Sequence, residues 1–245
     1  MKAPTKKKRK KTFRFRLFLF LFFLILAGIV GYYILSLPIW KIQEVVVSGA
    51  NMLSAQEIRD LSGVPLSENL FLTSFSRVRT NLKKIAAIKN FHIYRIPPAT
   101  VLIRITERKP IAVVILNDKS AIVDEEGVVL NRNPNLTLDV PNMTDLPVVY
   151  GVKNLAPKVS RLLADIVLEL SSLLGSRRIQ LELGSFEKIS FLLDDMLRVK
   201  VGRDEDVKRK MKVFEALLPT MAGRWSQIEY VDVRFPDNPV IKYRE

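Results

Sequence analysis

The chain has 245 residues, no cysteine and a single histidine, His92. Lys and Arg number 39 against 25 Asp and Glu, a formal net charge of +14. These counts exclude disulfides, thiolate metal sites and a cysteine nucleophile, and they leave little material for histidine catalysis or a His-rich zinc centre.

The charge is uneven. Nine basic residues and no acid fall between Lys2 and Arg16, which leaves the remainder at 30 basic against 25 acidic. Leu17 to Leu35 follows as 19 residues without a charged side chain. A run of about 20 such residues crosses the roughly 30 Å hydrocarbon core as a helix. Leu17, Phe20, Leu24 and Leu35 are its expected anchors. Tyr32, Tyr33 and Trp40 stand near its far end, where amphipathic aromatics favour the interface. Lysines beside such a helix read as a topology and lipid signal, placing residues 1–16 in the cytoplasm and everything after about Pro38 across the membrane. The run exceeds the usual apolar stretch of a secretory signal and no A-x-A-like site follows, so an uncleaved anchor is expected over a cleaved peptide.

Beyond the membrane, Ile42-Gln-Glu-Val-Val-Val-Ser48 reads as a strand ended by Gly49. Ser54-Ala-Gln-Glu57 fits a capping box, with Ser54 accepting from the backbone three residues on and Glu57 reaching back. Its helix carries Ile58 and Leu61 and closes at Gly63. Phe75, Val78, Leu82 and Ile85 predict a second helix within 75–88. His92–Ile96 and Thr100–Glu107 alternate as strands around Pro97-Pro98. His92 reads as a surface or edge-strand residue rather than a base. Further on, Ala112–Leu116, Ala121–Val123, Val128–Leu130 and Leu146–Gly151 are strand-like, with a loop over 131–147. Val159, Leu162, Leu163, Ile166, Leu170, Leu173 and Leu174 form the stripe of a helix opened by Pro157 and stopped by Gly175, and it reads as core. Strands are expected at 179–183, 187–193 and 196–201, the last two joined by Asp194-Asp195. Asp204-Glu-Asp206 begins a helix that Pro219 ends, with acids suited to its start. Its Lys208, Arg209, Lys210 and Lys212 read as a solvated face. Ile228–Phe235 and Val240–Tyr243 close the chain as strands.

Few residues carry chemistry. Asp194-Asp195 and Asp204-Glu-Asp206 lack the spaced loop of a calcium site and read as a turn and a helix start. Phosphate-binding glycine loops are absent, and Asn135-Leu-Thr137 and Asn142-Met-Thr144 match a glycosylation pattern that arises by chance. No cofactor is expected. Val240-Ile-Lys-Tyr243 has two readings: an ordinary closing strand, or a sheet edge that captures a partner strand.

The β-α-α-β-β order of residues 40–112, with Asn69-Leu-Phe71 before its second helix, resembles a POTRA domain. The stretch Tyr94–Ala112, above all Glu107-Arg108-x-Pro110-x-Ala112, resembles the FtsQ/DivIB family of bitopic bacterial division proteins, as do Val123-Asp124-x-x-Gly127-x-Val129-Leu130 and Tyr230-Val-Asp-Val-Arg-Phe235. The resemblance implies an α+β chain: a basic tail over 1–16, one transmembrane helix over 17–37, a POTRA-like domain over 40–112, and a mixed, mainly antiparallel β-domain with two helices over 113–245. It implies a non-enzymatic division scaffold at the septum, whose β-domain recruits FtsB-like and FtsL-like partners through its last strand, Val240, Ile241, Lys242 and Tyr243. Arg203, Arg234 and Phe235 fall on the family's basic and aromatic contact positions. Pro236 and Pro239 depart from the pattern and each lack a backbone donor. A POTRA-type component of protein transport is the alternative, opposed by the lack of a barrel-sized stretch.

Overall fold

The computed structural model describes residues 8–117, 119–133, 136–175, 177–184 and 188–245, with side chains from Phe15 onward. Lys2, Lys6, Lys7, Asp118, Asn135 and the first residue of the expected 187–193 strand lie outside the described residues.

Helix α1 (Lys8–Leu35) is apolar on all sides from Leu17 onward, and its large apolar side chains there are exposed. Phe15–Leu35 is long and apolar enough to cross a membrane, and Leu17, Phe20, Leu24 and Leu35 are all exposed on it. The helix stops at Leu35, two residues before the expected 37: Pro38 opens a 3-10 turn (Pro38–Trp40), and the residue before a proline disfavours the helical region.

The first globular unit is built from β1 (Glu44–Ser48), α2 (Ala55–Ser62), α3 (Ser76–Lys83), β2 (Ile88–Ile96) and β3 (Thr100–Glu107). The sheet order is β1-β3-β2. β1 and β3 run parallel, so the chain between them must cross over, and α2 and α3 lie within that crossover. Their apolar residues Ile58, Val78 and Leu82 share a core with Ile42, Leu70 and Ile103. Ser54 caps α2, but the expected capping box does not form: the bond comes from two residues on instead of three. Ser54 Oγ accepts from Gln56 N at 3.3 Å, whereas Glu57 Oε1 lies 3.4 Å from Thr137 N in the second unit instead of returning to Ser54. Gly63 caps α2 in the left-handed region, at φ 64°. His92 lies exposed on the edge strand β2.

The second unit contains β4 (Pro110–Leu116), β5 (Lys119–Asp124), β6 (Val148–Tyr150), α4 (Pro157–Leu174), β7 (Ile179–Leu183), β8 (Ile189–Leu193), β9 (Leu197–Gly202), α5 (Val207–Met221), β10 (Ile228–Asp232) and β11 (Val240–Tyr243). Eight strands form one mixed sheet, ordered β11-β10-β9-β8-β7-β6-β4-β5. β4–β6, β6–β7 and β9–β10 pair in parallel, and the other four pairs are antiparallel. One side chain in two faces inward: Leu181, Phe191 and Val199 are buried, while their neighbours Glu182 and Arg198 look outward. α4 and α5 supply the other half of this core, with the Phe214 ring edge-on to Phe191 at 5.5 Å between centroids. Asp194 and Asp195, with φ of 51° and 58°, lie with Met196 in the three-residue turn from β8 to β9, whose register pairs Leu193 with Leu197. Their carboxylates bond Arg178, so the pair serves the turn and its flank.

Three expectations fail for identifiable reasons. Val128–Leu130 makes an isolated bridge, Val123–Val129, rather than a strand, because the turn before it is tied to Asp124. α5 continues through Pro219 to Met221; a proline in the last turn forfeits one bond from the carbonyl of exposed Glu215, and buried Met221 holds the end down. Asp204–Asp206 precede α5 rather than open its first turn, and Asp206, at φ 55°, makes no side-chain cap.

Arg108 joins the two units, and Glu107 beside it closes a loop of the first. The Glu107 carboxylate accepts from the backbone N–H groups of Asn51, Met52 and Leu53 at 3.0, 2.9 and 2.9 Å, closing the loop after β1. Arg108 donates to Asp124, whose side chain is 1% exposed, and to Glu126 at 2.8 Å. Burial works against the Arg108 charge, and the bonds to Glu126 and Asp124 outweigh it, so its pKa is raised. Asp124 also accepts from the amides of Glu126 and Val128 at 3.0 and 2.7 Å, so both oxygens of this buried carboxylate have partners. At Gly127, φ is 76° and an added Cβ would lie 2.6 Å from the backbone nitrogen of Arg161 in α4. Glu107→Ala should leave three amides without their acceptor and lower stability by about 2–4 kcal/mol, with Glu107→Gln intermediate. Thermal unfolding of the detergent-solubilised chain, followed by circular dichroism, measures both.

Candidate functional site

β9 and β10 run parallel, with Val231 opposite Val199 and Asp232 opposite Lys200. Their C-terminal ends therefore emerge side by side. The first leads through Gly202 and Arg203 into α5, the second through Val233 and Arg234 into the connection to β11. Between these exits lies a cleft of about 540 Å³, lined by Gly202, Arg203, Glu205, Asp206, Lys210, Arg234, Phe235 and Pro236. The tertiary fold thus brings together Arg203, Arg234 and Phe235, which are 31 and 32 positions apart in the chain.

Each wall has a local cause. Gly202 adopts φ 77°, and an added Cβ would stand 2.9 Å from the Arg234 Cγ, so only glycine lets the arginine stem lie across this backbone. The Arg234 guanidinium is tied to Asp232: Nε to Oδ1 at 3.0 Å and Nη2 to Oδ2 at 2.7 Å, while the Arg234 N–H also bonds Oδ1 at 3.0 Å. Burial of Asp232 opposes its ionisation, but these bonds prevail and hold the carboxyl below its ordinary range. The same pairing raises Arg234. Arg203 is exposed, and among the described residues it forms no ion pair. Phe235 is 70% exposed, an unusual state for an aromatic beside a cleft.

Lys210 is the residue that sequence reasoning misplaced. It is 5% exposed rather than solvated, and its Nζ donates to the Arg203 carbonyl at 2.9 Å. Its position was available in the spacing, since Lys210 falls three residues after Val207 and four before Phe214, on the buried stripe of α5. Lys208, Arg209 and Lys212 are exposed.

β11 forms one end of the eight-stranded order and, among the described residues, pairs only with β10. The register sets Asp232 opposite Val240 and Tyr230 opposite Lys242, so β11 starts at the cleft and runs back along the sheet. Val240 is 52% and Tyr243 45% exposed. Ile241 is half-buried against the core, and Lys242 is exposed and paired with Glu229 at 2.8 Å. Pro236 and Pro239 lie in the connection, outside both strands, so all four residues of β11 keep their N–H groups.

Both halves of the chain match known sequence families. Residues 40–108 match the FtsQ-type POTRA domain, and residues 112–234, half of the chain, match the C-terminal domain of cell division protein FtsQ/DivIB. The chain belongs to the FtsQ/DivIB family. The cell division protein FtsQ of Streptomyces bingchenggensis is 25% identical over 210 residues, covering 83% of this chain and 76% of that protein. FtsQ of Syntrophotalea carbinolica is 26% identical, covering 83% and 74%. FtsQ of Rickettsia felis is 31% identical over 94 residues, 38% of this chain and 35% of that one. Among solved structures, the major extracytoplasmic domain of the trans isomer of DivIB from Geobacillus stearothermophilus matches 48% of this chain and 92% of its own at 18% identity, with a TM-score of 0.32. Family membership favours a division protein over the transport component.

Two outcomes follow for the cleft. Gly202→Ala should cost about 1–3 kcal/mol, because it strains a left-handed residue and displaces Arg234; thermal unfolding reads the loss. The Asp232 carboxyl is depressed on folding, so its contribution is complete above about pH 4 and is lost as the pH falls through the lowered folded value. In acid unfolding below that pH, Asp232→Asn should therefore flatten part of the stability loss seen in the parent chain.

Proposed function

We propose that this member of the family is a non-enzymatic scaffold of the bacterial divisome, which captures FtsB-like and FtsL-like partners on its C-terminal β-domain and so helps assemble septal wall synthesis. Residues 1–16 form a cytoplasmic tail, 17–37 the inner-membrane anchor through Leu17, Phe20, Leu24 and Leu35, 40–112 the POTRA-like domain, and 113–245 the partner-binding domain outside the cytoplasm. The excess of Lys and Arg before the apolar helix supports this orientation.

The observation that carries the reading is the open edge β11 beginning beside an Arg- and Phe-lined cleft. A strand added along Val240–Tyr243 gains main-chain bonds for affinity, while the cleft reads the partner's side chains. Arg and aromatic residues are the types that dominate interface energy when desolvated. Arg234 already shares its charge with Asp232, so Arg203 is the cation with more to gain from a partner's acid.

Phe235→Ala and Arg203→Glu should each weaken capture of the FtsB-like partner by more than about 1 kcal/mol, roughly fivefold in Kd. Co-purification and titration of the full chain with that partner measures this. Both variants binding normally while folded would remove the site. A fluorescent N-terminal fusion should gather at mid-cell, and depletion should give filaments; uniform membrane signal with normal division would remove the divisome role.

A further inference from the structure

The junction between α1 and the first globular unit is not a loose tether. The apolar stretch Phe15–Leu35 has 21 residues, about 31 Å of helix at 1.5 Å per residue, which matches the hydrocarbon thickness and sets Leu35 at its far boundary. Helix ends leave backbone carbonyls without an internal partner. Here two are taken by the globular unit and its approach: Asn69 Nδ2 donates to the Leu35 carbonyl at 2.6 Å, and Trp40 Nε1 donates to that of Ile34 at 2.7 Å. Leu70 N–H in turn donates to the Trp40 carbonyl at 2.7 Å, and the Phe71 ring meets Trp40 edge-on at 5.2 Å. Asn69 Oδ1 accepts from the amides of Phe71 and Leu72 at 2.9 and 3.1 Å. A segment bonded to the last residue of a membrane helix stands at the membrane surface.

That segment presents apolar side chains to the outside. Leu72 and Ile39 are each 56% exposed, Phe71 is partly exposed beside them, and Leu66 is exposed in the same loop. Ile39 adjoins Trp40, and Phe71 and Leu72 follow Asn69, so these side chains lie close to the residues that bond the exposed C-terminal end of α1. Trp40 sits at the level where indole rings favour the headgroup region.

We propose that the loop 66–72, with Ile39, inserts into the interfacial layer of the bilayer leaflet from which α1 emerges, so that the first globular unit rests on the membrane in a fixed orientation. This rests on α1 spanning the bilayer. The occupant of the patch is lipid, because the patch borders the helix surface that lipid already covers. Seating there would set the direction in which the rest of the chain is held away from the membrane.

The absence of cysteine allows single labelling sites in the full chain. Leu72→Cys, Leu66→Cys, Leu24→Cys and Met196→Cys, each carrying a nitroxide, would be reconstituted in phosphatidylethanolamine–phosphatidylglycerol vesicles. Collision with oxygen and with a water-soluble nickel chelate then gives the depth of each label. Labels at positions 72 and 66 should be several-fold less accessible to nickel than that at 196 and shallower than that at 24. A shielded label at 24 with labels at 72 and 66 as accessible as at 196 would overturn the lipid seat alone, and would leave that patch to a protein partner. A label at 24 open to nickel would overturn the spanning helix and the seat together.

Discussion

Parallel neighbouring strands cannot be joined by a tight turn, and the pairing of β9 with β10 places most of the candidate site. The chain must leave β9, cross the sheet and return in the same direction. α5 makes that crossing, and in doing so covers the inner face with Met211 and Phe214. Because both strands end on the same side, Gly202–Arg203 and Asp232–Arg234 become neighbours without any direct sequence relation. β11 then turns back antiparallel and has only the outer flank of β10 on which to lie, which makes it the terminal strand of the sheet. Cleft and open edge are therefore two consequences of one topological demand.

The interior of this arrangement is apolar, and its few buried polar groups are used as joints. Lys210 binds α5 to the exit of β9, and Arg108 with Asp124 binds the two globular units. A buried ammonium or carboxylate is tolerated only with partners in place, so each joint fixes the geometry around it. The exposed features differ in kind: Phe235, Arg203 and the edge of β11 on the far unit, and Leu72 with Ile39 at the membrane end. The chain thus presents an aromatic and basic surface far along its length and an apolar one where it leaves α1.

The residues that carry the family resemblance most strongly prove to be structural. Glu107 closes a loop, Arg108 and Asp124 form the junction, and Gly127 lets α4 approach the backbone. These roles demand one residue type each, which is why the motif is recognisable. The exposed Arg203 and Phe235 carry no such packing demand. Phe235 and the two prolines of the β10–β11 connection were for that reason the places where the sequence alone gave least about register.

Local periodicity was enough for the element order of both units, because a half-buried strand or helix must repeat its apolar side chains every second or every third to fourth residue. The Asp194-Asp195 hairpin and the stripe of α4 were legible on those grounds. So was the span-length apolar run after a basic tail, which depends on composition alone. What periodicity does not contain is which strand lies beside which. The diversion of Glu57 to Thr137, the continuation of α5 past Pro219 and the meeting of Arg203 with Arg234 were decided by packing in the folded chain. In the first two cases, a tertiary contact outweighed a local preference, worth about 1 kcal/mol for the cap and up to about 3 kcal/mol for the proline.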